Sequence, residues 1–116
     1  MCRLWLGNLM NNRTTILEIA STQYETDIEL ISSAMDNLQM LCEVHDGFLI
    51  SEPMNRFGWA FFKILIKDEL LSAMQLKLDD KIQVSKGKSY EEKFTSFMTN
   101  FFESKNAKVK VKLVEV

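Results

Sequence analysis

The sequence predicts an α+β fold in which one antiparallel sheet carries helices on a single face. Residues 57–67, "FGWAFFKILIK", have the strongest strand pattern, because their even positions form a continuous apolar row. Helical patterns occupy residues 26–44 and 68–78, and shorter alternating segments lie at residues 3–9 and 81–85. With a short strand before residue 57, the order is strand, helix, strand, strand, helix, strand. This order predicts a ferredoxin-like βαββαβ sandwich.

The first half of the chain supplies a strand and a helix. Residues 3–9, "RLWLGNL", alternate as a strand does, with the two leucines on one side and Trp5 on the other. Residues 11–25 fit a short strand or a helical turn equally well, so both interpretations stay open. Thr26 and Glu29 have the spacing of a capping box, which predicts that the first helix begins there and ends near residue 44.

The second half continues with a short strand, "FLISEP", that Pro53 ends, and "EPMNR" is interpreted as a hairpin-type loop. After the helix that begins at Asp68, "KIQVS" alternates as a half-buried strand does, with the isoleucine and the valine inward. A second capping box, Ser89 with Glu92, opens a further helix. The chain ends in an alternating strand, "KVKVKLVEV", whose lysines fit the wet side of an edge strand better than a phosphate track.

Size and composition limit the class of protein. The chain has 116 residues, 47% of them hydrophobic and 26% charged, which is typical of one globular domain with its own core. We expect residues 1–88 to form this domain and residues 89–116 to form a helix-strand extension packed on it or beside it. No apolar run approaches the roughly 20 residues of a membrane span, so a cytoplasmic or nuclear protein is expected. The start within a strand-like segment favours a fragment of a longer chain.

The motifs of common catalytic and metal sites are missing from the sequence. His45 is the single histidine, and with Cys42 it makes one C-x-x-H pair without the second pair that a zinc site needs. There is no P-loop and no nucleophile elbow. The sequence therefore predicts a protein that is not an enzyme and uses no cofactor, no metal and no small-molecule substrate.

Aromatic and basic residues are predicted to share the free face of the sheet. In the split βαβ order, residues 3–9 and 57–66 are the two central strands, and their outward side chains include Trp5, Trp59 and Phe61. Arg3, Lys63 and Lys81 flank them. Bases stack on aromatic rings and phosphates meet cations, so this face predicts binding of single-stranded RNA.

Two segments resemble motifs of the RNA recognition motif family. "LWLGNL", residues 4–9, is similar to the family's first-strand motif, and "GWAFFKI", residues 58–64, is similar to its third-strand motif. The resemblance covers about residues 3–86. It implies that the three aromatic residues stack bases, that Asn8 belongs to the RNA site, and that the domain works in a ribonucleoprotein or RNA-processing assembly.

The C-terminal helix is the source of the main alternative. Its apolar stripe could cover the sheet, pack beside it, or dock onto another chain. The last case predicts a protein-interaction or homodimerisation module of the same fold with little RNA affinity. Its contact surface would be the aromatic sheet or the helix residues Phe94, Phe97, Met98, Phe101 and Phe102. A small acidic inhibitor that only shares the strand pattern is a third interpretation.

Overall fold

A computed structural model describes residues 15–114 of the chain. The strands are β1 (Thr15–Ser21), β2 (Phe48–Ile50), β3 (Met54–Arg56), β4 (Trp59–Ile66) and β5 (Lys110–Val114). The helices are α1 (Tyr24–Cys42), α2 (Asp68–Lys77), α3 (Asp79–Gln83) and α4 (Tyr90–Ser104). This is a mixed α+β fold with one antiparallel sheet, as the sequence predicted at that level. No helix in the described range has the length and apolar character needed to cross a bilayer.

The two longest strands form the middle of the sheet. The strand order is β2-β4-β1-β5, and β3 also pairs with β4. β1 and β4 run antiparallel over seven residue pairs, from Thr15 opposite Ile66 to Ser21 opposite Ala60. β5 pairs with the other side of β1, with Val111 opposite Ile19. The stretch that the sequence left open therefore supplies a central strand, β1.

The strands β2 and β3 are two halves of one interrupted edge. Ile50 lies opposite Ile64 while Met54 lies opposite Phe61, so the edge has one more residue than β4 between these pairs. Ser51 bridges the interruption, since its N–H donates to the Lys63 carbonyl and its hydroxyl accepts from the Lys63 N–H, both at 2.8 Å. One extra residue on one strand is the definition of a β-bulge. The segment "EPMNR", predicted as a loop, thus contains the strand β3.

The hydrophobic core lies between one face of the sheet and the helices. The predicted apolar row of β4 is confirmed, because its even-numbered side chains are all buried. Side chains from all four helices join them in one continuous cluster. Its largest fully buried members are Leu17, Ile19, Ile31, Met35, Leu38, Phe62, Ile64, Ile66, Leu70, Met74, Ile82 and Phe102.

The first helix begins earlier than predicted. Its N-cap is Gln23, so the predicted capping box was wrong and Thr26 lies within the first turn. The link from β1 into this helix depends on Ser21, whose hydroxyl donates to a carboxylate oxygen of Asp27 at 2.6 Å and accepts from the Gln23 N–H at 3.0 Å. Glu25 and Asp27 also place acidic groups near the positive end of the helix dipole. The end of the helix at Cys42 agrees with the prediction near residue 44.

The predicted strand at residues 81–85 was wrong. Residues 79–83 form α3, a five-residue helix that packs against α4. Ile82 is fully buried, but Val84 is 84% exposed instead of inward, and Lys81 is exposed on this helix. The apolar spacing of two residues therefore did not reflect a strand.

The last helix and strand contribute to the same core as the rest of the chain. The Ser89 cap of α4 is confirmed, since its side chain accepts a hydrogen bond from the Glu92 N–H. Phe94, Met98 and Phe102 are buried in the shared cluster. β5 pairs with β1 and so supplies the last strand of the sheet, the role that the prediction gave to residues 81–85. The predicted boundary after residue 88 falls between two elements that pack against each other, α3 and α4.

Candidate nucleic-acid interface

The sheet face opposite the core is the candidate site, and it is called the open face below. Cross-strand pairing places alternate residues of each strand on it, and none of these side chains is buried. No described helix therefore covers this face. It consists of Ile16, Glu18, Ala20, Leu49, Met54, Arg56, Trp59, Phe61, Lys63, Leu65, Lys110, Lys112 and Val114.

Two aromatic rings and two cations lie at one end of the open face. Trp59 and Phe61 are half-buried, and Arg56 lies opposite Trp59 on β3. The Lys110 ammonium lies 5.1 Å from the centre of the Trp59 ring, within the range of a cation–π contact. Ala20 separates Phe61 from Lys110 in the strand register, and its small side chain leaves room for the lysine to reach across β1.

Charge at the centre of the open face is arranged in a row across three strands. Glu18 of β1 lies opposite Lys63 on one side and Lys112 on the other. With Arg56 and Lys110, the face carries four cations against one carboxylate, although the whole chain has a net charge of -2. This face is therefore locally basic, as an anionic ligand requires.

The other end of the open face is apolar. Leu65 of β4 lies opposite Leu49 on β2 and opposite Ile16 on β1, which in turn lies opposite Val114. Leu49 is 57% exposed and the other three are partly buried. The face thus changes from aromatic and basic to aliphatic along the strand direction.

The structure brings together three of the sequence-predicted RNA-binding residues. Trp59, Phe61 and Lys63 all project from β4 onto the open face, as predicted. Lys81 does not join them, because it lies on α3 and not on a fourth strand. The predictions for Arg3, Trp5 and Asn8 fall outside the described residues.

The neighbours of β4 differ from those predicted. β1 pairs along one edge of β4, and β2 and β3 pair along the other. The central partner of β4 is therefore Thr15–Ser21, whereas the prediction had named residues 3–9. Its outward side chains are Ile16, Glu18 and Ala20, so β1 contributes no aromatic ring to the open face.

Sequence reasoning missed three cations of the open face. Arg56 was assigned to a loop, whereas Lys110 and Lys112 were interpreted as the wet side of an edge strand. They are exposed residues at an end of the strand order, as that interpretation predicted, and they also belong to the candidate site. The alternation of "KVKVKLVEV" indicated a strand with lysines on one side, but it did not show that this strand pairs with β1, which is what places those lysines on the open face.

Most of the α4 stripe is not available to a partner. Phe94, Met98 and Phe102 are buried in the core, which corrects the predicted partner surface. Phe97 and Phe101 are partly exposed, and their rings stack with centres 6.2 Å apart. Because the buried stripe joins the core, α4 packs on the helical side of the sheet and does not cover Trp59 or Phe61.

The turn between β3 and β4 is formed by an unusual pair of residues. Phe57 and Gly58 both have positive φ angles, of 54° and 82°. Positive φ at both central residues characterises a type I′ hairpin turn, which prefers Asn-Gly. The Phe57 side chain is 95% exposed, so the hairpin presents an aromatic ring to solvent at its tip.

The cysteine-histidine pair has a different environment at each residue. Cys42 is buried near the end of α1, and this burial raises the pKa of its thiol, with a smaller opposing effect from Lys77. His45 is exposed in the following loop. Among the described residues, no group of three or more potential metal ligands comes together.

Comparison with protein-family models, with curated proteins and with solved structures gave no match for this chain.

Proposed function

We propose that this protein binds single-stranded RNA through the open face of its sheet, without catalysis, as part of a ribonucleoprotein or RNA-processing assembly in the cytoplasm or nucleus. One observation carries the proposal: two aromatic residues and four cations lie together on a sheet face that no described helix covers. They are Trp59, Phe61, Arg56, Lys63, Lys110 and Lys112. Aromatic rings accept the faces of bases, and the surrounding cations accept phosphates.

The energetics of this arrangement suit binding with little sequence preference. Each base stacked on a ring contributes about 1 to 3 kcal/mol, and any base can stack. Lysine and arginine contacts to phosphate add a term that weakens as salt rises. Glu18 divides the cations of the face, so we expect a phosphate chain to pass along its rim instead of over its centre.

The proposal includes a ferredoxin-like arrangement of the sheet. If β2 and β3 count as one strand, the four strands have the order second, third, first, fourth, which supports a split βαβ layout with three helices in the second crossover. Support for the resemblance to the RNA recognition motif family then comes from "GWAFFKI". Gly58 ends the hairpin turn, and the remaining residues of this segment lie on the central strand β4, as the third-strand motif requires.

The test is a titration of a fluorescein-labelled 12-nucleotide oligouridylate at 50 and 200 mM salt. We expect salt-sensitive binding that Trp59→Ala weakens about tenfold, because one stacking surface is lost. Trp59→Phe retains a ring and should keep most of the affinity. A thermal melt of each variant separates lost contact from lost folding.

The matched charge pair is Lys112→Gln and Lys88→Gln. Lys112 lies on the open face, whereas Lys88 is exposed in the loop before α4. We expect the first to weaken binding and reduce its salt dependence, and the second to change neither. Equal losses in both variants, or no binding by the native protein, would contradict the proposal.

A protein-interaction module is the second candidate, and the aliphatic end of the open face favours it. Leu49, Leu65, Ile16 and Val114 form one apolar row that another chain could cover. This function predicts a dimer in sedimentation equilibrium that Leu49→Glu dissociates. A monomeric native protein that binds RNA would exclude homodimerisation as the main role of this face.

A further inference from the structure

The tip of the β3–β4 hairpin extends beyond the last residue pair of the central strands. β1 ends with Ser21 opposite Ala60, whereas the hairpin continues through Arg56 opposite Trp59 to the turn at Phe57 and Gly58. Within residues 54–61 the single charged residue is Arg56. The tip is therefore an aromatic and basic projection at the aromatic end of the open face.

Folding does not account for phenylalanine at this turn. Of the four non-glycine residues with positive φ in the described range, Phe57 is the one apolar residue. A bulky side chain is disfavoured in the left-handed region, whereas asparagine is tolerated there. At the second turn position, Gly58 adopts a positive φ without strain. A Cβ atom built on Gly58 would meet no atom within 4 Å, so close packing around the turn does not dictate its residues.

Burial does not account for Phe57 either. Its ring is 95% exposed and lies outside the core cluster, so it loses almost no contact with water on folding. A residue that is strained and also solvent-exposed is best explained by a contact made with a ligand. The neighbouring cation and the basic character of the open face identify an anionic ligand with flat apolar groups, which is the chemistry of an unpaired nucleotide.

We propose that Phe57 is an additional stacking position, which holds one unpaired base of a single-stranded RNA beyond the edge of the sheet, while Arg56 contacts the adjoining phosphate. This inference rests on the proposed RNA-binding function and extends its site past β4. The bound strand then passes from the open face around the hairpin tip. An RNA too short to reach the tip does not use Phe57.

The decisive variant is Phe57→Asn, because it separates stability from binding. Asparagine at position 57 creates the Asn-Gly pair that this turn type favours, so we expect the melting temperature to rise by about 3 to 6 °C. The same change removes the ring, so the affinity for a 12-nucleotide oligouridylate should fall about tenfold. Phe57→Trp should retain the affinity. Leu76→Gln, which alters an apolar side chain on α2 that is 85% exposed, is the matched control and should leave the affinity unchanged.

A length series of oligouridylates locates the contact. Binding of the native protein should strengthen from 4 to 12 nucleotides more steeply than binding of Phe57→Asn, with equal affinities for the shortest RNA. Native binding with no loss in Phe57→Asn at any length overturns this inference and leaves the proposed function standing. Absence of native RNA binding overturns both. Loss of binding to phosphatidylserine vesicles instead of RNA in Phe57→Asn also overturns the inference and assigns the tip to a membrane surface.

Discussion

Ser21 shows how one hydroxyl at the end of a strand organises the turn into a helix. The Ser21 hydroxyl accepts a hydrogen bond from the Gln23 N–H and donates one to the Asp27 carboxylate. Ser21 and Asp27 are both buried, with exposed fractions of 1% and 6%. Gln23 makes no side-chain cap at the start of α1. The Ser21–Asp27 hydrogen bond therefore fixes the beginning of the helix from outside it.

At this scale we expect Ser21→Ala to destabilise the protein by about 1 to 3 kcal/mol. The change leaves a buried carboxylate and a backbone N–H without the partner they have now. Urea unfolding monitored by circular dichroism measures the loss. Ser33→Ala, at an exposed position of α1, is the control and should be neutral or slightly stabilising. Equal stabilities for Ser21→Ala and the native protein would show that the bond carries no net energy.

Single residues were predictable from the sequence where one strong pattern surrounded them. Trp59, Phe61 and Lys63 lie in an eight-residue strand whose alternation is unambiguous. Phe57 was read as another odd position of that strand, because alternation alone does not reveal where a hairpin turns. The left-handed conformation of Phe57 depends on the pairing of β3 with β4, a partner that the sequence had assigned to a loop.

At the scale of elements, an ion pair on the surface links Glu43, the C-cap of α1, to Lys77, the last residue of α2. The Lys77 ammonium donates to the Glu43 carboxylate at 2.6 Å, and this bond lowers the pKa of Glu43 below its ordinary value of 4.5. The Glu43 side chain is 80% exposed and the Lys77 side chain is 41% exposed, so the pair lies at the surface. The contribution of such a pair to the free energy of unfolding is therefore small and sensitive to salt.

We expect Glu43→Gln to lower the melting temperature at pH 7 and low salt by at most about 2 °C. A carboxyl with a lowered pKa in the folded state stabilises the protein above its unfolded pKa, and this contribution disappears as pH falls through the lowered value. The two melting curves should therefore converge in acid below pH 4.5. A difference that persists when the carboxyl is protonated, or that is unchanged in 1 M salt, would assign the effect to something other than charge.

Elements were predicted well where they are long and poorly where they are short. β4 and the Ser89-capped helix α4 each give many residues to one periodicity. In α3, five residues with one buried isoleucine fit a strand and a helix equally well. Its helical state follows from packing against α4, which local sequence does not encode. β1 was left undecided for a different reason, since it has seven residues but its adjacent apolar residues Ile16 and Leu17 lie on opposite faces and blur the alternation.

At the scale of the whole molecule, the helix-strand segment at residues 89–114 is integral to the described core. α4 supplies Phe94, Met98 and Phe102 to the single hydrophobic cluster, and β5 covers one side of the central strand β1. Removing them exposes the helical side of β1 and leaves its outer hydrogen-bonding groups unpaired.

We therefore expect a chain of residues 1–88 to be unfolded or aggregated at 25 °C. Loss of three buried aromatic or methionine side chains costs several kcal/mol, which is comparable to the total stability of a small domain. Far-ultraviolet circular dichroism and amide proton dispersion in NMR measure the outcome. A truncated chain that unfolds cooperatively would show that residues 1–88 are an independent domain, as the sequence analysis expected.

The α+β fold class could be predicted from the sequence, whereas the segments that form its paired strands could not. Counting strands and helices gives a similar order whether the first strand is residues 3–9 or residues 15–21. Which segment pairs with β4 depends on contacts between residues far apart in the chain, such as Glu18 with Lys63. The candidate site depends on the same pairings, so its cations on β5 emerged only with the structure.

The interruption at Ser51 has a consequence for contacts between molecules. A neighbouring chain that added a strand outside β2 and β3 would have to shift its hydrogen-bonding register by one residue halfway along, and Pro53 offers no donor there. At the opposite side of the described sheet, β5 carries Lys110 and Lys112, which repel a second copy of the same strand. Both outer strands therefore discourage the growth of continuous sheets between copies, and the hairpin can present exposed aromatic residues without the molecule polymerising through its edges.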